Sequence, residues 1–122
     1  MNRIAIFGMG LMGTPMTLKL AQGNIPVIAY NRTPVKLEPL KEVNVPVTTN
    51  IQEAIEFGDC LILMLADFNG IQEVIFNSGV DLTGKTIIQM GTIAPNESKK
   101  VLFEVEMRGG RIFRSTRIRK HS

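Results

Sequence analysis

Ile4-Ala5-Ile6-Phe7-Gly8-Met9-Gly10-Leu11-Met12-Gly13 sets an apolar run against three glycines at the spacing G-x-G-x-x-G. A buried strand enters the loop and an amphipathic segment leaves it, which is the context in which this spacing carries meaning. Gly8 permits a tight turn off the strand. Gly10 has no side chain to hold a pyrophosphate away from the backbone, and Gly13 lets the helix lie close on the sheet. The N–H groups of the first helical turn then face an anion, with the positive end of the helix dipole behind them. A second apolar run, Val27-Ile28-Ala29-Tyr30, arrives at the distance where a neighbouring strand would end beside the nucleotide.

Outward from that junction the pattern alternates strands with helices, the signature of β-α-β units around a parallel sheet. Strands are expected at Arg3–Phe7, Pro26–Tyr30, Val45–Val47, Cys60–Leu65 and Thr86–Met90, with a sixth starting at Arg111-Ile112. The first helix is expected over Leu11–Gln22, Pro15 falling in its opening turn and Gly23 ending it. Thr33 reads as an N-cap ahead of Pro34 for a short helix toward Lys41. Asn50 reads as another cap, with Glu53 three residues on as in a capping box. Ala66–Gly70 reads as a loop and Ile71–Phe76 as a helix, and Pro95 opens a last helix that reaches Arg108 before Gly109-Gly110. The fold class expected is α/β, a Rossmann-like doubly wound, mainly parallel sheet with helices on both faces.

The 122 residues make room for one domain with a real core. No apolar stretch approaches a membrane span of roughly 20 residues, which argues against a membrane partner. The chain runs straight into a strand, which argues against a cleaved signal peptide. One cysteine, Cys60, precludes an internal disulfide and suits a reducing, cytoplasmic setting. The net charge of +3 is concentrated in Arg114, Arg117, Arg119 and Lys120. Removing those four from the 14 basic residues leaves 10 against 11 acidic ones, so the body is not basic and nucleic acid is not an expected partner. The lone His121 has no companion for metal binding or general-base work.

In a doubly wound sheet, ligands sit beyond the carboxyl ends of the strands. After the second strand come Asn31-Arg32-Thr33, where an NAD-preferring site usually has an acid for the ribose hydroxyls. A neutral amide beside a guanidinium suits a 2′-phosphate instead, so the residues favour NADP(H) over NAD(H). The fourth strand ends at Met64-Leu65-Ala66-Asp67 and the fifth at Met90-Gly91-Thr92-Ile93-Ala94-Pro95. The Met64–Ala66 backbone could line the adenosine side and the Thr92 hydroxyl could reach the nicotinamide end. By spacing alone, both are equally well read as plain strand-to-helix loops. Met9, Met12 and Met16 read as core or cleft lining.

Taken together, Gly8-Met9-Gly10-Leu11-Met12-Gly13-Thr14-Pro15-Met16, Tyr30-Asn31-Arg32-Thr33, Met64-Leu65-Ala66-Asp67 and Gly91-Thr92-Ile93-Ala94-Pro95 resemble the β-hydroxyacid dehydrogenase family. Its members include 3-hydroxyisobutyrate dehydrogenase, tartronate semialdehyde reductase, glyoxylate/succinic semialdehyde reductases and, more distantly, 6-phosphogluconate dehydrogenase. The resemblance runs from Ile4 to about Ile112. It implies that the glycine loop, Leu65, Ala66 and Thr92 contact a nicotinamide cofactor and that Arg32 binds its 2′-phosphate. It further implies hydride transfer between nicotinamide and a small hydroxyacid or semialdehyde. Gly91 departs from the serine that many members carry.

The domain reading is a nucleotide-binding domain over residues 1–112 and a basic tail over 113–122. The family continues with a segment like Asp/Glu-Ala-Pro-Val-Ser-Gly and then an all-helical domain bearing a catalytic lysine and an asparagine, neither of which this sequence contains. A permitted set of codons for Phe113–Ser122, read one nucleotide later, gives Leu-Glu-Ala-Pro-Val-Ser-Gly-Ser-Thr. The tail is therefore read as a frameshifted remnant. A chain of this kind is expected to lack dehydrogenase activity and to self-associate through an uncovered apolar patch. The alternative is a non-catalytic NADP(H)-binding or sensing module that acts through a partner.

Overall fold

Successive residues of a strand point to opposite faces, and here both sets are apolar. Ala5, Phe7, Ile28, Tyr30, Leu61, Leu63 and Ile87 fill a core on one face. Ile6, Val27, Ala29 and Ile62 fill a core on the other. Such strands are stable only between two layers of helix. A computed structural model shows that arrangement and describes residues 2–65, 67–77, 79–91 and 93–114.

The strands are β1 (Ile4–Phe7), β2 (Val27–Tyr30), β3 (Val47–Thr48), β4 (Cys60–Leu63), β5 (Thr86–Gln89) and β6 (Arg111–Arg114). They form a sheet in the order β3-β2-β1-β4-β5-β6, every pair parallel. Helices α1 (Gly13–Gln22) and α2 (Glu38–Lys41) cover one face, where Met16, Leu20 and Leu40 pack on β1 and β2. Helices α3 (Ile51–Phe57), α4 (Phe68–Ile71) and α5 (Pro95–Met107) cover the other through Ala54, Ile55, Ile71, Val101 and Val105. The fold is therefore a Rossmann-like α/β sheet of the doubly wound type. No helix among the described residues is long and apolar enough to cross a membrane.

Several boundaries differ from the sequence expectation, each for a local reason. Helix α1 opens at Gly13 instead of Leu11, because the chain completes its turn against the Gly8 carbonyl first. The segment after Thr33 is a 3₁₀ turn over Pro34–Leu37 followed by α2. Pro39 lacks the N–H that one continuous α-helix would need there. Thr33 occupies the cap position, but its side chain makes no capping hydrogen bond. Strand β3 begins after Pro46, not at Val45, since the Val45 N–H turns back to the Leu40 carbonyl at 3.0 Å. Strands β4 and β5 end earlier than expected, at Leu63 and Gln89.

Of the loop expected over Ala66–Gly70, the residues Phe68 to Gly70 are instead the first turn of α4. The Asp67 carboxylate caps it by accepting the Gly70 N–H at 3.0 Å, and a wider turn over Gln72–Phe76 carries it on. The Asn50 cap is present: its side-chain oxygen accepts the Glu53 N–H at 3.1 Å. The reciprocal half of the box is relayed, because Glu53 accepts from the Thr48 hydroxyl, which in turn accepts the Asn50 N–H. Strand β6 pairs through Phe113 and Arg114, two residues beyond the boundary read at 112. Residues 115–122, the greater part of the basic tail, lie outside the described residues. Phe103, Met107 and Phe113 expose large apolar side chains toward the β6 end of the sheet.

Candidate cofactor site

The chain crosses from β3, at one side of β1, to β4 at the other, so the loops leaving β1 and β4 diverge and open a cleft between them. Its volume is about 710 Å³, within the roughly 300–1,000 Å³ of small-molecule sites. One wall is the glycine turn, Gly8, Met9 and Gly10. A second is the end of β2, from Tyr30 to Thr33, with Lys36 beyond it. The third is the end of β4 and the helix that follows, including Met64, Leu65, Asp67, Gly70 and Glu73.

The three glycines of the turn stand in different surroundings. Gly8 has φ +104°, and a Cβ there would stand 2.7 Å from the Met64 carbonyl oxygen, so the strand ends could not close up. A Cβ on Gly13 would lie 2.0 Å from the Gly8 carbonyl oxygen. That contact is what lets α1 start directly under the turn. Gly10 is the opposite case: a Cβ there would meet no atom within 4 Å. Nothing within the protein demands glycine at this position. The space above Gly10 opens on the cleft, where a diphosphate pressed against the backbone would demand it.

Helix α1 strengthens that fit. Its cap residue, Met12, supplies no side-chain acceptor, and its first turn carries no acid. The Thr14 and Met16 N–H groups go to the Gly10 and Met12 carbonyls, both at 3.2 Å, and Pro15 has none, so an anion at this helix start would meet the N–H groups ahead of Thr14. Met9 is buried, with its sulfur 3.6 Å from the Thr17 hydroxyl, so its side chain belongs to the core and only its backbone faces the cleft wall. Leu11 and Met12 are exposed and do not line the cleft.

Asn31 is a strut between two walls. Its side-chain oxygen accepts the Met9 N–H at 2.8 Å, and its amide nitrogen donates to the Thr33 carbonyl at 3.1 Å. The structure thus gives the amide a structural task that the sequence reading did not anticipate. Arg32 is exposed, and its guanidinium donates to the Glu73 carboxylate across the cleft at 2.7 Å. Below that pair lies the buried Tyr30, whose ring sits 5.4 Å from that of Phe7. Burial pushes the Tyr30 hydroxyl above its ordinary pKa; the nearby Glu73 carboxylate adds to the rise and Arg32 opposes it.

Of the residues singled out in the sequence, Gly8, Met9, Gly10, Asn31, Arg32, Thr33, Met64 and Leu65 come together on one cleft. Gly13 supports it from beneath. Ala66 and Thr92 lie outside the described residues. Gly91, the departure from serine, has a physical basis: a Cβ there would stand 2.4 Å from the Leu65 carbonyl oxygen, so glycine lets the β4 and β5 loops touch. Sequence reasoning missed Lys36 and Glu73. Lys36 follows Thr33 by three residues on a 3₁₀ turn, where positions i and i+3 eclipse, and that spacing could have revealed it.

The comparisons with known proteins agree on one family and fold. The 2-hydroxy-3-oxopropionate reductase of Escherichia coli (strain K12) is 32% identical over 112 residues, a match covering 88% of this chain and 38% of that protein. The NADPH-dependent reductive aminase of Aspergillus oryzae is 29% identical over 110 residues, covering 90% and 37%. Among solved structures, the reductive aminase of Aspergillus terreus in complex with NADPH and ethyl levulinate superposes with a TM-score of 0.84 at 29% identity, covering 93% of this chain and 40% of that one. This chain therefore spans about two fifths of the length of these relatives. Residues 3–115 match the NAD binding domain of 6-phosphogluconate dehydrogenase, and the chain belongs to that family of nicotinamide-dinucleotide-binding domains.

Proposed function

We propose that this cleft binds NADP(H) in preference to NAD(H), and that the chain is the cofactor-holding part of an oxidoreductase acting on a small hydroxyacid or semialdehyde. The observation that carries the reading is the contrast at Gly10: the backbone is bare over an open cleft, directly ahead of a helix start without its own capping acceptor. The diphosphate would lie there, held by backbone N–H groups of the turn and of the helix start ahead of Thr14. Asn31 would hold the turn in place for it. Arg32 and Lys36 at the end of β2 supply the cations that a 2′-phosphate seeks, and no acid stands at the Asn31 position to repel it. One relative is named for NADPH and another is solved in complex with it.

When bound, the nicotinamide supplies or accepts hydride. Moving the accompanying proton requires a positioned general acid, which the family resemblance assigns to a lysine with no counterpart in these 122 residues. The chain by itself is thus read as a binder without useful turnover. Calorimetric titration of the 122-residue chain with NADPH and NADH tests the cofactor reading. Tighter binding of NADPH is the expected result, and a folded chain that binds neither dinucleotide overturns it. Absorbance at the reduced-nicotinamide band, with small semialdehydes offered as acceptors, tests the second part; robust turnover would refute it.

A further inference from the structure

The ion pair Arg32–Glu73 joins the end of β2 to the helix after β4 across the mouth of the cleft, between residues 41 positions apart. Glu73 is half-exposed and Arg32 mostly exposed, so water and ligand reach both. The other acid on the same wall, Asp67, is turned onto the Gly70 amide as a helix cap and makes no claim on a cation there. Glu73 is therefore the carboxylate of this wall that meets Arg32 at the β2 end.

We infer that Glu73 is a specificity-determining residue that competes with the cofactor's 2′-phosphate for Arg32 and so lowers the preference for NADP(H). This rests on the cofactor reading above and deepens it. A phosphate that takes Arg32 bidentately either displaces the carboxylate from the NH1 donor or sits on the Nε–NH2 edge beside it. Either way two negative groups then stand around one guanidinium, with Lys36 as the remaining counter-charge. A ribose that ends in a neutral hydroxyl makes no such demand, and the pair stays closed. The discrimination set by Arg32 and Lys36 is thereby held below what the two cations alone would give.

Glu73→Gln isolates the charge, because the amide oxygen still accepts from Arg32 and glutamine has a similar helix propensity. Calorimetry on the 122-residue chain should show NADPH binding about 3- to 10-fold tighter in E73Q at low salt, while NADH affinity moves less than about twofold. The gain should shrink as ionic strength rises. An unchanged ratio of the two affinities, or weaker NADPH binding in E73Q, overturns the inference and leaves the cofactor reading standing. Failure of the parent chain to bind either dinucleotide removes both. A thermal melt of E73Q matching the parent shows that the comparison is between folded proteins.

Discussion

The side-chain oxygen of Asn31 accepts the backbone N–H of Met9 at 2.8 Å, fixing the end of β2 to the glycine turn that follows β1. The same amide donates to the Thr33 carbonyl, so one side chain holds two backbone segments in register. A residue in the position usually read for cofactor choice is here also a brace for the phosphate end of the cleft.

Replacing the brace should loosen the turn without selecting between cofactors. Asn31→Ala removes both hydrogen bonds, each worth about 0.5–1.5 kcal/mol, and NADPH and NADH should weaken together by about 3- to 10-fold. Asn31→Asp keeps an acceptor for Met9, loses the donor to Thr33 and adds a charge. It should disfavour NADPH selectively. Paired titrations of both variants check this, and a cofactor-selective loss in Asn31→Ala would contradict it.

The glycines at 10 and 13 should separate binding from stability. A methyl group at Gly13 collides with the Gly8 carbonyl, so Gly13→Ala should destabilise the fold by at least ~2 kcal/mol in a denaturant titration. Gly10→Ala meets only open space and should alter stability by less than ~0.5 kcal/mol. Its effect should fall on dinucleotide affinity, which is expected to drop by about tenfold or more, since one methyl blocks the close backbone approach. Normal affinity in Gly10→Ala would place the diphosphate elsewhere.

Arg32 and Lys36 should act on the phosphorylated cofactor alone. Arg32→Gln is expected to weaken NADPH by about tenfold and Lys36→Gln by a smaller factor, with NADH affected less than about twofold by either. Raising salt should erode NADPH binding by the parent chain more than by Arg32→Gln. Equal losses for both cofactors would count against a 2′-phosphate at the β2 end.

The cap of α3 offers a control remote from the cleft. Asn50→Ala removes the acceptor for the Glu53 N–H and should lower stability by about 1 kcal/mol, within a range of about 0.5–2, while dinucleotide affinity stays unchanged. Chemical denaturation and one titration measure both quantities.

The parts of this molecule that were legible in the sequence are those whose causes are local. The strand, turn and helix around Gly8–Gly13 could be read because each glycine acts within a few residues of its neighbours. Asn50 could be read as a cap for the same reason. Thr33 looked equally good, yet its side chain makes no cap, because the Lys36 N–H it would accept goes to the Thr33 backbone carbonyl at 3.1 Å and closes a 3₁₀ turn. Asp67 was overlooked as a cap: Ala66–Gly70 reads as a loop, and only the packing of Phe68, Ile71 and Ile75 beneath the sheet makes the stretch from Phe68 helical. Once that helix start was displaced, Glu73 had no predicted neighbour. Its partner Arg32 is 41 residues away, and the spacing of residues contains nothing that would pair them. The brace at Asn31 was hidden likewise, since the residue type suggested a ligand contact and the close approach of two loops decided otherwise.

Because β1 has β2 on one flank and β4 on the other, a growing polypeptide that ends before Cys60 carries a central strand with one bare, hydrophobic side. Such an open edge invites mispairing until it is covered. Docking of Cys60–Leu63 covers it and, in the same event, delivers Met64 and Leu65 to the cleft. A nascent chain that ends before Cys60 therefore lacks one wall of the cleft as well as the strand that covers β1.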